Sequence, residues 1–354
     1  MTILQRYIAK TIFTSTAVVL VILLSLYTFM DFIAEMDDVG KGQYQLTEVI
    51  TYLALSMPKR IYELLPVAAL LGSVLGLGSL ASQSELVVMR AAGQSIARIS
   101  RSVLMVALTL TVVAFLVGEL IRPTAEQKAR EVQSMAQTGT VGSRSRHGFW
   151  TRDGQHFNHI SQVLPDGRFS DISIYEFDDN NQLRTVTRAE NAEYQEDNWL
   201  LSNVVQSTID SEGVVVNAEE YAQWTSKLNP GMLNVVIVPP EFLPLWGLVE
   251  YIDYLEANHQ SVGQYSIALW SKLMMPLSSA VMVFLAVPFV FGPLRSAPMG
   301  GRIVVGALVG IGFHLINQSF QHIGLVFGIL PWLAASLPTV LFAMLGYYWM
   351  RRLY

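Results

Sequence analysis

The stretch Ser84-Glu85-Leu86-Val87-Val88-Met89-Arg90-Ala91-Ala92-Gly93-Gln94 is short and amphipathic, and it lies between two long apolar runs. Leu86 and Met89 fall on one side of it at helical spacing. Glu85 and Arg90 lie beside that side. A helix of this kind is tied rigidly to the two runs that flank it, so it can serve as a socket for a soluble partner. An ordinary connecting loop is the alternative interpretation of the same residues.

The composition indicates an integral membrane protein. Of the 354 residues, 52% are hydrophobic and 14% are charged. The mean hydropathy is +0.39, an apolar excess that is not typical of large soluble domains. The net charge of −5 does not indicate nucleic-acid binding, because binding a phosphate backbone requires a basic patch. The chain has no cysteine, which excludes disulfides, thiolate metal sites and a cysteine nucleophile.

Six apolar runs are long enough to cross a hydrocarbon core of about 30 Å. The first run is too long for the apolar part of a signal peptide, so we expect it to be retained. The predicted spans are Thr11–Ile33, about Tyr52–Leu80, Val103–Ile121, Ile267–Phe291, Ile303–Leu325 and Leu330–Met350.

Basic residues near the ends of the spans predict the orientation, because they favour the cytoplasmic side. The acidic loop Glu35–Glu48 then falls on the opposite side. Six spans with both termini in the cytoplasm is the arrangement that places all the basic positions together. These positions are Arg6, Lys10, Arg90, Arg98, Arg101, Arg295, Arg302, Arg351 and Arg352.

The polar insert between the third and fourth spans is therefore expected outside the cytoplasm. Short alternating segments, separated by turns such as Asp153-Gly154, predict antiparallel strands. Their regular spacing is typical of a sandwich or jelly roll. The predicted strands are His147–Thr151, His156–Val163, Phe169–Phe177, Gln182–Tyr194, Trp199–Ile209 and Val214–Trp224.

The predicted fold is an α-helical polytopic membrane protein with six transmembrane helices and an inserted, jelly-roll-like all-β domain between helices 3 and 4. Helices 1–3 occupy residues 1–121, with the short helix at about 82–97. The β domain with its flanking helices occupies residues 122–265. One flanking helix, Glu126–Gln137, continues the third span, and the other, Leu245–Asn258, leads back to the membrane. Helices 4–6 occupy residues 266–354.

No catalytic motif appears in the chain. It lacks G-x-x-x-x-G-K-[ST], so it does not bind ATP through a P-loop, and it lacks H-E-x-x-H and G-x-S-x-G. We therefore predict a non-enzymatic chain without a cofactor or metal of its own. Polar residues inside the spans are the remaining candidates for functional residues, because polar side chains are costly in hydrocarbon unless they face protein or water. One set lies near the outer ends of the second and third spans: Lys59, Arg60, Glu63 and Glu119.

The fifth span carries a polar face at i, i+3, i+4 and i+7. We expect this face to line a cavity or the interior of a bundle, and interhelical hydrogen bonding is the alternative role. The face consists of His314, Asn317, Gln318 and Gln321.

Several short segments carry a resemblance to a known family. They are Arg6-Tyr7-Ile8-Ala9-Lys10-Thr11, Ala68-Ala69-Leu70-Leu71-Gly72 with Leu75-Gly76-Leu77-Gly78, Ser84-Glu85-Leu86-Val87-Val88-Met89, Trp270-Ser271-Lys272 and Phe291-Gly292-Pro293-Leu294-Arg295-Ser296. Together they resemble the LptF/LptG permease family of the lipopolysaccharide exporter, and its LptG branch in particular. The resemblance covers essentially the whole chain.

The resemblance implies a subunit in the inner membrane of a Gram-negative bacterium, with a periplasmic β-jelly roll. It implies pairing with the homologous permease LptF, above two copies of the ATPase LptB. ATP and Mg²⁺ would be bound by that ATPase, which accounts for the missing P-loop. Lipopolysaccharide would pass from a cavity between the permeases, with spans one and five as lateral gates, to LptC and LptA.

Site residues also follow from the resemblance. The family's coupling helix lies between spans two and three, and its glutamate matches Glu85. We therefore expect the ATPase contact at Glu85, Leu86, Met89 and Arg90. Relatives carry lysines near the outer end of the first span, where this chain has Asp31, Asp37 and Asp38. Lipopolysaccharide phosphates are therefore expected at Lys41, Arg122, Lys128 and Arg130, and divalent cations bridged by the three aspartates are a second hypothesis.

Two other classes of function fit the residues. Three spans that start inside and three that start outside permit an inverted repeat, which predicts a secondary transporter. A membrane-anchored envelope scaffold or sensor is the third interpretation. The scaffold or sensor interpretation does not explain the polar face of the fifth span or the basic residues near Arg130.

Overall fold

The computed structural model describes residues 3–138, 148–164, 167–178, 182–195, 198–210, 213–226, 239–258, 260–291 and 298–352. Within these stretches, six helices are long and apolar enough to cross a membrane, as predicted. The spans are α1 (Ile3–Met36), α2 (Leu46–Ser82), α4 (Ile96–Leu116), α7 (Gly263–Phe291), α8 (Met299–Phe327) and α9 (Pro331–Arg351). The first two extend beyond the predicted runs, because hydropathy detects only the apolar part of a helix. The basic position Arg295 lies outside the described residues.

Three shorter helices connect the spans to the rest of the chain: α3 (Glu85–Ala91), α5 (Arg122–Thr138) and α6 (Leu245–Ala257). A π-helical segment, Val117–Ile121, joins α4 to α5, so the third span continues as predicted. Pro123, which follows this segment, has no N–H to donate to the preceding turn. The helix expected at about 82–97 has only seven residues, because Ser84 (φ 60°) and Gly93 (φ 82°) adopt the left-handed conformation at its two ends.

The inserted β domain forms a six-stranded antiparallel sheet in which each strand pairs with the next along the chain. Among the described strands this order is a meander, without the Greek-key pairings that define a complete jelly roll. The strands are β1 (Phe149–Asp153), β2 (His156–Val163), β3 (Phe169–Phe177), β4 (Leu183–Gln195), β5 (Asn198–Asp210) and β6 (Gly213–Trp224). They lie within two residues of the predicted strands. His147 lies outside the described residues, and so do residues 179–181, 196–197 and 211–212, which connect consecutive strands.

One face of the sheet forms the core of the β domain. Ile160, Ile172 and Trp199 are almost fully buried there, and the ring of Phe169 stacks on Trp199 with their centroids 4.1 Å apart. Residues of the opposite parity on β1–β4 point away from this core. We call that side the outer face; it includes Trp150, and it is considered further below.

The crossing of α1 and α2 depends on glycine. A Cβ atom at Gly72 would overlap the backbone of Thr16, and one at Gly76 would lie 3.0 Å from the Cα of Ile12. The absence of side chains at Gly72 and Gly76 therefore allows close contact between two helix backbones. Both helices contribute to the main apolar core, in which Ile12 is fully buried.

Helix α6 attaches the β domain to the membrane helices. The hydroxyl of Tyr254 donates to the carbonyl of Arg152 at 3.1 Å, and the side-chain oxygen of Asn258 accepts from the N–H of Gly154 at 3.2 Å. Both bonds hold the turn between β1 and β2. Burial, reinforced by the carboxylate of Asp153, raises the pKa of Tyr254 to about 12. The tyrosine therefore remains a hydrogen-bond donor at neutral pH.

Candidate functional site

Helix α3 lies at the end of the helical bundle opposite the β domain. Leu86 and Met89 are buried in the main apolar core, to which Ile8 of α1 also belongs, so one side of α3 is fixed to the chain's own helices. Val87 and Val88 are 55% and 65% exposed on the other side. Exposed valines next to a fixed helix face are suited to contact with another protein.

Glu85 connects α3 to the start of α1. The hydroxyl of Tyr7 donates to the Oε1 atom of Glu85 at 3.1 Å, across 78 positions of sequence. Both side chains are accessible at the surface. Any movement of α3 that displaces the Glu85 carboxylate therefore acts directly on the first turns of α1.

Between α1 and α2 there is a groove with a volume of about 500 Å³. It lies beyond the glycine contact, towards the other end of α1. Its walls are almost entirely apolar, which suits an acyl chain or another apolar helix. The lining residues are Val21, Leu24, Ser25, Thr28, Phe29, Phe32, Leu53 and Met57.

An ion pair joins α1 to α2 alongside the groove. The guanidinium of Arg60 donates from Nε and Nη2 to the two carboxylate oxygens of Asp31, each at 2.7 Å. Its Nη1 atom donates to Glu63 at 3.1 Å. A two-point contact of this kind fixes orientation as well as distance. Helix α1 is thus held at its α3 end by Tyr7 and near its other end by Asp31.

The loop after α1 packs against α5. Glu35 accepts hydrogen bonds from Tyr44 at 2.9 Å and from Gln133 at 3.1 Å. Asp38 accepts from Lys41 and from the side chain of Gln137. The hydrogen bond from Lys41 holds the pKa of Asp38 below its usual value, and burial together with Glu35 raises the pKa of Tyr44.

A cationic cage surrounds the ring of Phe242, which lies in the short 3-10 turn Pro240–Phe242 that leads back from the β domain. Lys59, Arg122 and Arg130 place their charges 4.8, 5.4 and 4.4 Å from the ring centroid. Glu126, which is 1% exposed, balances the cage through ion pairs with Lys59 at 3.7 Å and Arg130 at 3.1 Å. The cage therefore fastens the returning chain to α2 and α5.

A buried ion pair joins the third and fourth spans beside the cage. The Nζ atom of Lys272 in α7 lies 3.3 Å from the Oε2 atom of Glu119, which is part of the π-helical segment. Both partners also bind the returning chain: Lys272 donates to the carbonyl of Leu243, and Glu119 accepts from the N–H of Leu245. The pair therefore has enough hydrogen bonds to offset the cost of burying its charges.

The polar face of the fifth span, now α8, opens outward from this chain. His314 and Gln318 are exposed, and Asn317 and Gln321 are half-buried. Polar side chains at this depth need protein or water around them. Because the chain's own helices do not cover the face, a second subunit or an aqueous cavity has to meet it.

Comparison with known proteins identifies the family. The family described as lipopolysaccharide export system permease LptF/LptG matches residues 6–352. The lipopolysaccharide export system permease protein LptG of Escherichia coli K12 is 37% identical over 353 residues, which cover 99% of this chain and 98% of that protein. The chain belongs to the LptF/LptG family. The LptG protein of Haemophilus influenzae Rd is 35% identical over 351 residues, with the same coverage.

As a member of the LptF/LptG family, the chain is a multi-pass membrane protein with six spans and an inserted β domain. The structure divides the four predicted coupling residues between two sides of α3. Leu86 and Met89 anchor the helix inside the chain, whereas Arg90 is exposed and Glu85 is accessible. Val87 and Val88 lie on the exposed side of α3. The sequence pattern does not single them out, because both sides of such a short helix contain apolar residues.

The four residues predicted to bind phosphate fall into two groups. Arg122 and Arg130 belong to the cage around Phe242, whereas Lys128 is exposed and the side chain of Lys41 is 62% exposed beside Asp38. The predicted cation bridge stays a hypothesis: Asp31 and Asp38 each face a cationic side chain, and Asp37 is exposed. In the described part of the chain, no group of three metal-ligating side chains could hold an ion.

Proposed function

We propose that this chain is the LptG-type permease subunit of an ATP-driven exporter that extracts lipopolysaccharide from the inner membrane. In this proposal an ATPase contacts α3, a homologous LptF-type permease faces α1 and α8, and the lipid leaves towards the β domain. The chain itself hydrolyses nothing. The observation that carries the proposal is the attachment of α1, which is bonded to the coupling helix at one end and to α2 at the other.

The coupling step follows from the contacts of α3. A stroke from the ATPase on Glu85 and the exposed valines moves a helix whose inner side belongs to the same apolar core as Ile8 of α1. The bond from Tyr7 to Glu85 passes the same displacement to α1. The close contact between Thr16 and Gly72 then acts as a fulcrum, because two backbones packed this tightly cannot separate without loss of the contact.

The gating step concerns the outer part of α1. Beyond the fulcrum, the apolar groove lies between α1 and α2, and the pair of Asp31 and Arg60 joins the two helices alongside it. Burial of acyl chains against these apolar walls contributes about 0.8 kcal/mol per methylene. In the proposed cycle the ion pair keeps the gate closed until the stroke or the arrival of lipid phosphate competes for Arg60.

The proposed surroundings follow the predicted orientation. The two termini and α3 face the cytoplasm, where two copies of LptB would supply ATP hydrolysis. The β domain lies in the periplasm and hands the lipid to LptC and LptA. The exposed face of α8 supports a second permease as its neighbour, because its polar groups need partners that the described part of this chain does not supply.

A reconstituted exporter tests the proposal. This chain is co-expressed with candidate LptF, LptB and LptC proteins, and lipopolysaccharide release and ATP hydrolysis are measured in proteoliposomes. We expect Glu85→Ala to abolish coupled release, whereas Glu256→Ala, an exposed carboxylate on α6, leaves it unchanged. Purification of the chain without an ATPase, together with transport driven by an ion gradient, would overturn the proposal.

The buried pair of Glu119 and Lys272 is the feature that an ion-coupled secondary transporter would use. However, its charges are engaged by the carbonyl of Leu243 and the N–H of Leu245, which fix the returning chain. A proton-relay group has to exchange partners during transport. The pair therefore supports a structural joint, and the permease remains the proposed function.

A further inference from the structure

The outer face of strands β1–β4 carries a continuous set of aromatic rings. Trp150 lies opposite His159 in the register of β1 and β2, with ring centroids 4.8 Å apart. Tyr175 of β3 stacks against Trp150 at 5.6 Å with 28° between the rings. Trp150 is nonetheless 61% exposed. One side of the indole therefore rests on the two neighbouring rings, and the other side is open to solvent.

Arginines flank this aromatic platform, which we define as Trp150, His159 and Tyr175. Arg152 follows two residues after Trp150 on the same face of β1. Arg188 of β4 pairs in register with Ser173 and is exposed on the same face. Across the paired segments 150–152, 157–159, 173–177 and 184–188, every charged side chain of this face is basic or a histidine. The acidic residues of this face, Asp171 and Glu190, lie outside these segments and accept hydrogen bonds from the side chains of Ser161 and Asn203.

The aromatic platform lies on the side of the sheet that does not form the domain core. The same strands send Ile160, Ile172 and Ala189 into the domain core. A tryptophan on the opposite side gains little from folding, because most of its surface remains in water. An exposed ring held rigidly by two other rings and flanked by arginines is instead the arrangement expected of a binding surface.

We propose that this platform binds the phosphorylated sugars of the exported lipopolysaccharide. This inference rests on the proposed function, because lipopolysaccharide supplies the ligand. The apolar face of a pyranose ring stacks on the open side of Trp150, and phosphate groups accept hydrogen bonds from Arg152 and Arg188. Guanidinium groups match phosphate geometry, and the two arginines beside the open ring favour an anionic ligand.

Saturation-transfer NMR with the full chain in nanodiscs tests the proposal. The probe is the water-soluble, phosphorylated core oligosaccharide released from lipopolysaccharide by mild acid. We expect sugar-ring protons to receive saturation from the wild-type chain, and the signal to fall at least fivefold in Trp150→Ala. Trp150→Phe should restore part of it, because a flat ring remains. Arg188→Gln should weaken binding of the phosphorylated sugar but not of the same sugar after phosphatase treatment.

The matched control is Trp246→Ala. Trp246 is 62% exposed on α6, nearly the same as Trp150, and we expect its loss to leave the signal unchanged. Equal signals from the wild type and Trp150→Ala would overturn the proposal. So would a photocrosslinker at position 150 that, in the co-expressed exporter, captures a protein subunit instead of lipopolysaccharide.

The two proposals fail separately. Sugar binding is measured without ATP or other subunits, so failure of export in proteoliposomes with intact Trp150-dependent binding would refute the proposed function alone. Normal export together with absent sugar binding would refute the platform alone.

Discussion

Helices α1 and α2 look alike in sequence but have different places in the structure. Both are long, with 34 and 37 residues, and both are strongly apolar. In the most apolar 18-residue window, 78% of the residues of α2 are buried within the chain, compared with 6% of those of α1. One helix is therefore the centre of the bundle, and the other is attached at its side.

The difference lies in how each helix is held. Helix α2 is buried over most of its length and contributes Lys59 to the cage around Phe242. Helix α1 is held by the glycine crossing and by polar contacts of Tyr7, Asp31 and Glu35. A helix with few attachment points can move as a unit, and this suits the proposed gate. Each attachment can be tested alone.

The largest effect is expected at the glycine crossing. Gly72→Ala places a Cβ atom in overlap with the backbone of Thr16, and neither backbone can yield easily. We expect a loss of about 2–3 kcal/mol of stability, measured as a lower thermal midpoint in detergent. Gly312→Ala is the control, because its Cβ would meet nothing within 4 Å. Equal midpoints for the two variants would show that the crossing does not fix α1.

The next effect concerns the anchoring of α2. Lys59→Met leaves Glu126, 1% exposed, with Arg130 as its remaining cation. A buried carboxylate that loses one of two partners should cost about 2 kcal/mol, below the full cost of breaking a buried pair. Thermal unfolding measures the loss. Lys128→Met, which removes an exposed lysine from α5, should change the midpoint little; if it is as damaging as Lys59→Met, the ion pair is not the cause.

Hydropathy predicts both helices but not their roles. The runs around α1 and α2 are recognisable because each is a local pattern of apolar residues, and the strands of the β domain follow from local alternation and turns. Whether a span is central or peripheral depends on contacts between distant segments. Gly72 and Gly76 predict a close contact, but the sequence does not say that Thr16 and Ile12 meet them.

The polar attachments are still harder to predict. Asp31 and Arg60 are 29 positions apart, and Tyr7 and Glu85 are 78 apart. No local periodicity links such residues. The only sequence signal is a charge within or beside an apolar run, which marks Arg60 as needing a partner but does not identify it. For the same reason, the sequence offers a cation bridge at Asp31 only as a second hypothesis and does not predict the ion pair of Asp31 with Arg60.

Replacement of Asp31 should change stability less, but it should clearly increase access to the groove between α1 and α2. Asp31→Asn replaces a two-point ion pair that is about one-quarter exposed, so the cost should stay below about 1 kcal/mol. The outer part of α1 should separate from α2 more often. Because the chain has no cysteine, Thr28→Cys in the groove reports this opening through its rate of maleimide labelling.

We expect Asp31→Asn to raise that labelling rate several-fold. Asp37→Asn is the matched control, because Asp37 is exposed in the loop after α1, and its replacement should leave the rate unchanged. If both variants label at the wild-type rate, the ion pair does not hold the gate.

The smallest effect, and the most specific, is expected at Tyr7. Tyr7→Phe removes only the hydroxyl that donates to Glu85, so the fold and the ATPase contact remain while the link to α1 is weakened. We expect the amount of lipopolysaccharide released per ATP to fall about twofold, with ATP hydrolysis unchanged. Tyr347→Phe, a similar change at an exposed tyrosine of α9, should leave the ratio as it was. A fall in hydrolysis at an unchanged ratio would place Tyr7 in ATPase docking rather than in the link between α3 and the gate.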